Sequence, residues 1–162
     1  MDIKSFFTAL FILFFCLCSC LRKGIHSDTY YTDHGDWGDV RFPLIKPYEA
    51  LRLNGDGQAW IIQTTSDSKS FFLAPGAREV IIADSIVFIH SVNTILNGLT
   101  FKEAWFVLIP GKHIENGFGT YKAYQTYLHD LHIDHEPKLF EMDKVARYFG
   151  DHDTIDWKKI DN

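Results

Sequence analysis

The stretch Glu79-Val80-Ile81-Ile82-Ala83-Asp84-Ser85-Ile86-Val87-Phe88-Ile89-His90-Ser91 decides the fold. Two runs rich in Ile and Val flank a three-residue turn signal, Ala83-Asp84-Ser85, and runs of this composition read as buried or half-buried strands. Upstream, Tyr48 to Leu53 leads into Asn54-Gly55-Asp56-Gly57 and then Gln58 to Thr64, the clearest hairpin signal in the chain. Phe71 to Leu73 precede a further turn at Ala74-Pro75-Gly76. Downstream, Asn97-Gly98 is followed by Glu103 to Ile109, which Pro110-Gly111 ends. The pattern predicts an antiparallel meander of five or six strands, and such a sheet needs cover. Thr120 reads as an N-cap, and Tyr121, Tyr124, Leu128 and Leu131 recur at helical spacing, so one face of that helix is expected on the sheet. Glu136-Pro137 breaks the pattern and Lys138 to Met142 forms a last strand. Asp143 then caps a short helix from Lys144 to Phe149 that Gly150 closes. The tail from Asp151 to Asn162 is mostly polar, with Ile155, Trp157 and Ile160 as docking residues. The expected class is α+β, an antiparallel sheet packed by one or two C-terminal helices in a single domain over residues 40–162.

Composition agrees with one domain. The chain has 162 residues, 46% of them hydrophobic and 15% aromatic, enough to bury a core and to exclude global disorder. Its 16 Lys and Arg against 21 Asp and Glu leave a net charge of -5, which argues against nucleic-acid binding. Nothing in the pattern calls for a cofactor.

The first nineteen residues differ from the rest. Met1 to Ser5 carry Lys4 and Asp2, and an apolar run from Phe6 to Leu17 follows, broken only by Thr8. A run of that length fits a secretory h-region of roughly 7 to 15 residues better than a spanning helix of roughly 20. Residues 1–19 therefore read as a signal peptide; the alternative is an uncleaved anchor helix continuing to Leu21, stopped by Arg22 and Lys23. All three cysteines, Cys16, Cys18 and Cys20, lie at the end of this run, so the body can hold no disulfide framework. Residues 20–39 are polar and turn-rich and read as a tether, with Tyr30, Tyr31 and Trp37 as aromatics that could dock on the domain edge.

Leu17-Cys18-Ser19-Cys20 resembles the lipobox of bacterial lipoproteins, with an aliphatic residue three before the cysteine and a small residue immediately before it. The resemblance implies cleavage after Ser19, a diacylglycerol on the Cys20 sulfur, and acylation of the new amino terminus. Each buried methylene contributes about 0.8 kcal/mol, so two or three chains hold a protein on a bilayer where one does not. The residues that follow, Leu21-Arg22-Lys23, lack the aspartate of inner-membrane retention, which by the same resemblance implies an outer-membrane protein facing the periplasm. The order of a strand meander, a Trp105 to Ile109 strand ending at Pro110, a loop and a Tyr-rich helix is similar to small bacterial lipoproteins of unknown function, and implies no activity.

Several clusters invite chemistry. His129, His132 and His135 stand with Asp130, Asp134 and Glu136 in one short stretch, and three imidazoles could hold a metal if the helix ended between them. The bland reading is a polar helix end whose side chains face water or the last carbonyls. Gly150-Asp151-His152-Asp153 places carboxylates beside an imidazole, but reads equally as a helix stop and solvated tail. The run from Asp33 to Asp39 carries oxygen ligands and glycines that calcium could use, although no Glu closes a twelve-residue loop from Asp28 or Asp33. Gly111-Lys112-His113 lacks the glycine pattern of a phosphate loop, and there is no Gly-x-Ser-x-Gly elbow. Phe118, Trp105, Tyr121, Tyr124 and Tyr127 could line a groove or an interface; Trp105 and Tyr124 are expected in the core, and Tyr127, one step off the apolar stripe, is the surface candidate.

The expectation is a lipid-anchored cell-envelope protein, not an enzyme, whose domain binds an unknown protein or small molecule while the lipid holds the membrane. A capping role against a basic toxin is one form this could take. The alternatives are a small metal-dependent hydrolase built on His129, His132 and His135, and a structural subunit of an envelope complex.

Overall fold

A computed structural model describes residues 28–35, 38–53, 59–65 and 72–160. The signal-peptide reading, Cys20, Arg22 and Lys23, Trp37 and the Asn54 to Gly57 turn lie outside the described residues. Strands β1 (Val40–Pro43), β2 (Tyr48–Arg52), β3 (Trp60–Thr64), β4 (Phe72–Ala83), β5 (Ile86–Leu96), β6 (Leu99–Ile109) and β7 (Ile114–Phe118) form a continuous antiparallel meander in that order. Helix α1 (Tyr121–Asp130) follows, then the two-residue strand β8 (Phe140–Glu141) and helix α2 (Met142–His152). This is the expected α+β architecture with a larger sheet. The extra strands are β1, short and ended by Pro43, and β7, whose Ile-Glu-Asn-Gly-Phe sequence has no apolar alternation.

The turns are those the residues require. Asp84 and Ser85 at φ 49° and 63°, and Asn97 and Gly98 at φ 52° and 78°, place two left-handed residues in each hairpin loop, which matches the twist of the flanking strands. Of Phe71 to Leu73 and Glu79 to Ile82, read as separate strands, the described residues from Phe72 onward belong instead to the single strand β4, kept continuous through Ala74-Pro75-Gly76 by a bulge against β3. Gly76 has φ +70°, and a Cβ there would lie 2.2 Å from the Val92 carbonyl oxygen, so no other residue fits. Up to Ala77 the outer edge of β4 pairs with β3; beyond the bulge, Glu79 and Val80 pair with β8.

Both faces of the central strands are buried, and alternation assigns each residue. Val87, Ile89, Ala104, Phe106 and Leu108 point inward with Phe42, Tyr48, Trp60 and Ile62, and this core is closed by Met142, Val145 and Phe149 of α2. The tail residues Ile155, Trp157 and Ile160 pack against it. Phe88, Val107 and Ile109 point outward beneath Tyr124 and Leu128 of α1. Thr120 Oγ1 accepts a hydrogen bond from Ala123 N–H, the expected N-cap. For α2 the boundaries differ from expectation: it starts at Met142, and Asp143 lies in its first turn, where its carboxylate accepts from Arg52 (2.6 Å) and the Trp60 indole (3.0 Å). Gly150 does not end the helix, which runs to His152 and stops at Asp153, φ 56°. The β5–β6 hairpin reaches past the helices, leaving Ile95 and Leu99 61% and 64% exposed at its tip.

Candidate functional site

The sheet is strongly curled. If it lay flat, β2 and β7 would be about 24 Å apart at the usual strand spacing, yet the Tyr48 hydroxyl on β2 donates to Glu115 Oε1 on β7 at 2.8 Å. The same curl opens a cleft of about 1010 Å³ between the β1–β2 loop, the start of β4 and the β6–β7 turn. Ile45, Pro47, Leu73 and Pro110 give it apolar walls, and Lys46, His113 and Glu115 supply polar groups. Tyr48 is 3% exposed, and burial, followed by the Glu115 carboxylate that accepts from it, pushes its hydroxyl well above the ordinary tyrosine range.

Local sequence builds these walls. Tyr48 N–H donates to the Ile45 carbonyl (2.9 Å) and Leu44 N–H to the Tyr48 carbonyl (3.0 Å), closing the β1–β2 loop. The Pro47 carbonyl accepts from both the N–H and the hydroxyl of Thr65, tying the loop to the end of β3. Opposite, Pro110–Lys112 forms a single 3-10 turn ended by His113 at φ 53°, which leaves Gly111, Lys112 and His113 exposed.

The rim at Lys46 is fixed by residues 28–33, packed on the outward face of β1 to β3, while His34 reaches Phe149 of α2 and Asp153. Lys46 Nζ contacts Asp28 Oδ2 at 3.0 Å and sits 5.4 Å from the centre of the Tyr30 ring. The Lys46 ammonium, then the Tyr30 N–H, hold the Asp28 carboxyl below its ordinary value. Arg41, 7% exposed, donates from Nε to Glu49 Oε2 at 2.5 Å, and from its terminal nitrogens to the carbonyls of Tyr30 and Asp33. Gln63 Nε2 donates to the other Glu49 oxygen at 2.7 Å, so the buried ion pair is fully hydrogen-bonded.

The histidine cluster is dispersed. His129 lies in the last turn of α1, His132 follows at φ 60°, and His135 is exposed in the next loop. Among the described residues no three His, Cys, Asp or Glu side chains are placed to share a metal ion. His152 Nδ1 contacts the Tyr148 carbonyl of its own helix at 2.9 Å, and Asp153 pairs with His34 at 2.7 Å. Asp28 caps the Thr29–Tyr31 turn through a bond from Tyr30 N–H, and Asp33 accepts from Gly35 N–H. No helix among the described residues is long and apolar enough to cross a membrane. No protein-family model, curated protein or solved structure matches the chain.

The aromatic group does assemble, on the outward face. Trp105 stacks on His90 and Tyr124, and Phe118 meets Tyr124 and Tyr127. Tyr127 is not the exposed member. It leans on Phe118 with ring centres 5.0 Å apart, whereas Tyr121 is 41% exposed and donates its hydroxyl to Glu136 at 2.5 Å. His90 was hidden in an Ile-rich strand. Its Nδ1 lies 2.9 Å from Glu79, while its buried Nε2 has no hydrogen-bond partner among the described residues. The Tyr48–Glu115 pair and the Arg41–Glu49 pair also escaped sequence reasoning; for the second, the available signal was opposite charges, Arg41 and Glu49, inside the neighbouring strands VRFP and YEALR.

Proposed function

We propose that this is a lipid-anchored cell-envelope protein, held at Cys20 to the outer membrane on its periplasmic side, whose domain binds a ligand in the cleft between the β1–β2 loop and the β6–β7 turn. The observation that carries the reading is the cleft itself. Apolar walls around a few convergent polar groups are the usual make-up of a ligand site, and about 1010 Å³ is room for a drug-sized molecule. The buried Tyr48 hydroxyl and the Glu115 carboxylate orient what enters; the walls supply the contact area. The lipobox-like Leu17 to Cys20 supports the anchor.

Two measurements test this reading. Mass analysis of the chain extracted from membranes is expected to give an amino-terminal Cys20 with a diacylglyceryl group on its sulfur and an acylated amine, and the Cys20→Ala chain to leave the membrane fraction. A neutral solvatochromic dye is expected to bind the intact protein at one site with a blue-shifted emission. Ile45→Asp should abolish that signal, since it sets a charge on a half-buried apolar wall of the cleft. An unmodified Cys20, or dye binding unchanged by Ile45→Asp, overturns the corresponding half.

A further inference from the structure

We infer that the cleft opens onto the bilayer and takes an acyl chain of a membrane lipid, an inference that rests on the anchored reading above. Seven residues separate Cys20 from Asp28, where the chain joins the domain, and the eight Cα-to-Cα steps span at most about 28 Å whatever path they take. A domain of this size is about 36 Å across. Asp28 is bound to Lys46, a residue of the cleft rim, so the anchor point and the cleft lie at the same end of the molecule. Strand β6 runs from the exposed hairpin tip at Leu99 to Ile109 beside the cleft, roughly 33 Å at strand rise. The tether is therefore too short for the hairpin tip to rest on the bilayer with the cleft end uppermost. The cleft end, with Ile45, Pro47 and Pro110, is the end the tether draws toward the lipid surface.

The chemistry of that end suits a lipid. Apolar walls match a hydrocarbon chain, and exposed Lys112 and His113 on the β6–β7 turn sit where headgroups would lie. Among the acids at the same end, Glu115 is engaged by the Tyr48 hydroxyl, Asp28 by Lys46, Glu49 by Arg41 and Asp33 by the Gly35 N–H.

The test uses the mature lipidated protein in vesicles. With Cys20 consumed by its thioether, Gly111→Cys introduces a single thiol on the cleft rim, where a Cβ has open space. Thr100→Cys, exposed at the other end of β6, is the comparison. Each is labelled with a fluorophore, and the vesicles contain lipid brominated along the acyl chain. The Gly111 label is expected to lose most of its emission to the brominated lipid and to be shielded from aqueous iodide, and the Thr100 label to show the reverse. A Gly111 label that answers only to iodide, or a Thr100 label quenched by the lipid, overturns the inference. Vesicle flotation of the same samples separates the two readings. Protein that fails to float removes the anchor and with it the proposed function, whereas protein that floats with an iodide-quenched Gly111 label removes only the acyl-chain assignment.

Discussion

Arg41 and Glu49 sit on the outward face of β1 and β2, at 7% and 10% side-chain exposure, and their bond joins the docked residues 28–35 to the sheet. Removing one partner strands a buried charge. Arg41→Met is therefore expected to cost about 3 to 5 kcal/mol in urea unfolding, and an added Glu49→Leu to recover much of the loss. If the single variant is as stable as the parent, the clasp on residues 28–35 is not structural. Such pairs are poorly legible in a sequence, because charge within a strand is consistent with either an exposed face or a buried partner. The same limit hid Glu115, which reads as surface until curl brings Tyr48 to it. The histidines show the converse error of proximity: His129, His132 and His135 are close along the chain, but the helix end turns them apart.

At the level of elements, the bulge in β4 decides where β3 gives way to β8. Gly76→Ala combines a left-handed backbone with the contact on the Val92 carbonyl, and is expected to cost more than about 2 kcal/mol. Gly98→Ala shares the positive φ but meets nothing within 4 Å, so about 1 kcal/mol is expected there. Thermal unfolding of the two variants side by side separates steric from conformational cost; equal losses would mean that the close approach to Val92 is relieved locally. Strands β2, β3, β5 and β6 were legible as apolar runs between turn signals, whereas β4 was read as two strands because Ala74-Pro75-Gly76 looks like a turn. Strand β7 was not, since Gly117 faces inward beside the Phe106 ring and Leu96, whose bulk occupies the space its side chain would fill. Helix α1 was legible from its stripe. The start of α2 was not, because Asp143 looks like a cap and instead serves Arg52 and Trp60.

For the whole molecule, buried phenols link stability to alkaline pH. Tyr30, Tyr48 and Tyr124 are each held above the ordinary tyrosine value of 10.0, chiefly by burial. Their stabilisation is fully present below that value. It is lost as pH rises through the raised native values, because the unfolded chain releases protons that the native chain retains. Stability is expected to fall progressively above about pH 10, with the tyrosinate absorbance of these three of the seven tyrosines appearing together with loss of secondary structure. Ionisation of all seven tyrosines on a still folded protein would show these three hydroxyls to be accessible to solvent. The fold class could be read from the chain because it depends on strand alternation and helix spacing, which are local. The cleft could not, because it arises from the curl that seven paired strands accumulate.

That curl stops short of a closed hoop. The ladder runs from β1 to β7 without β7 pairing back to β1, and the Tyr48 hydroxyl reaches Glu115 across the gap. Parting those two side chains breaks no rung of the backbone ladder, so the width of the aperture is set by a latch that can yield while the framework stays whole.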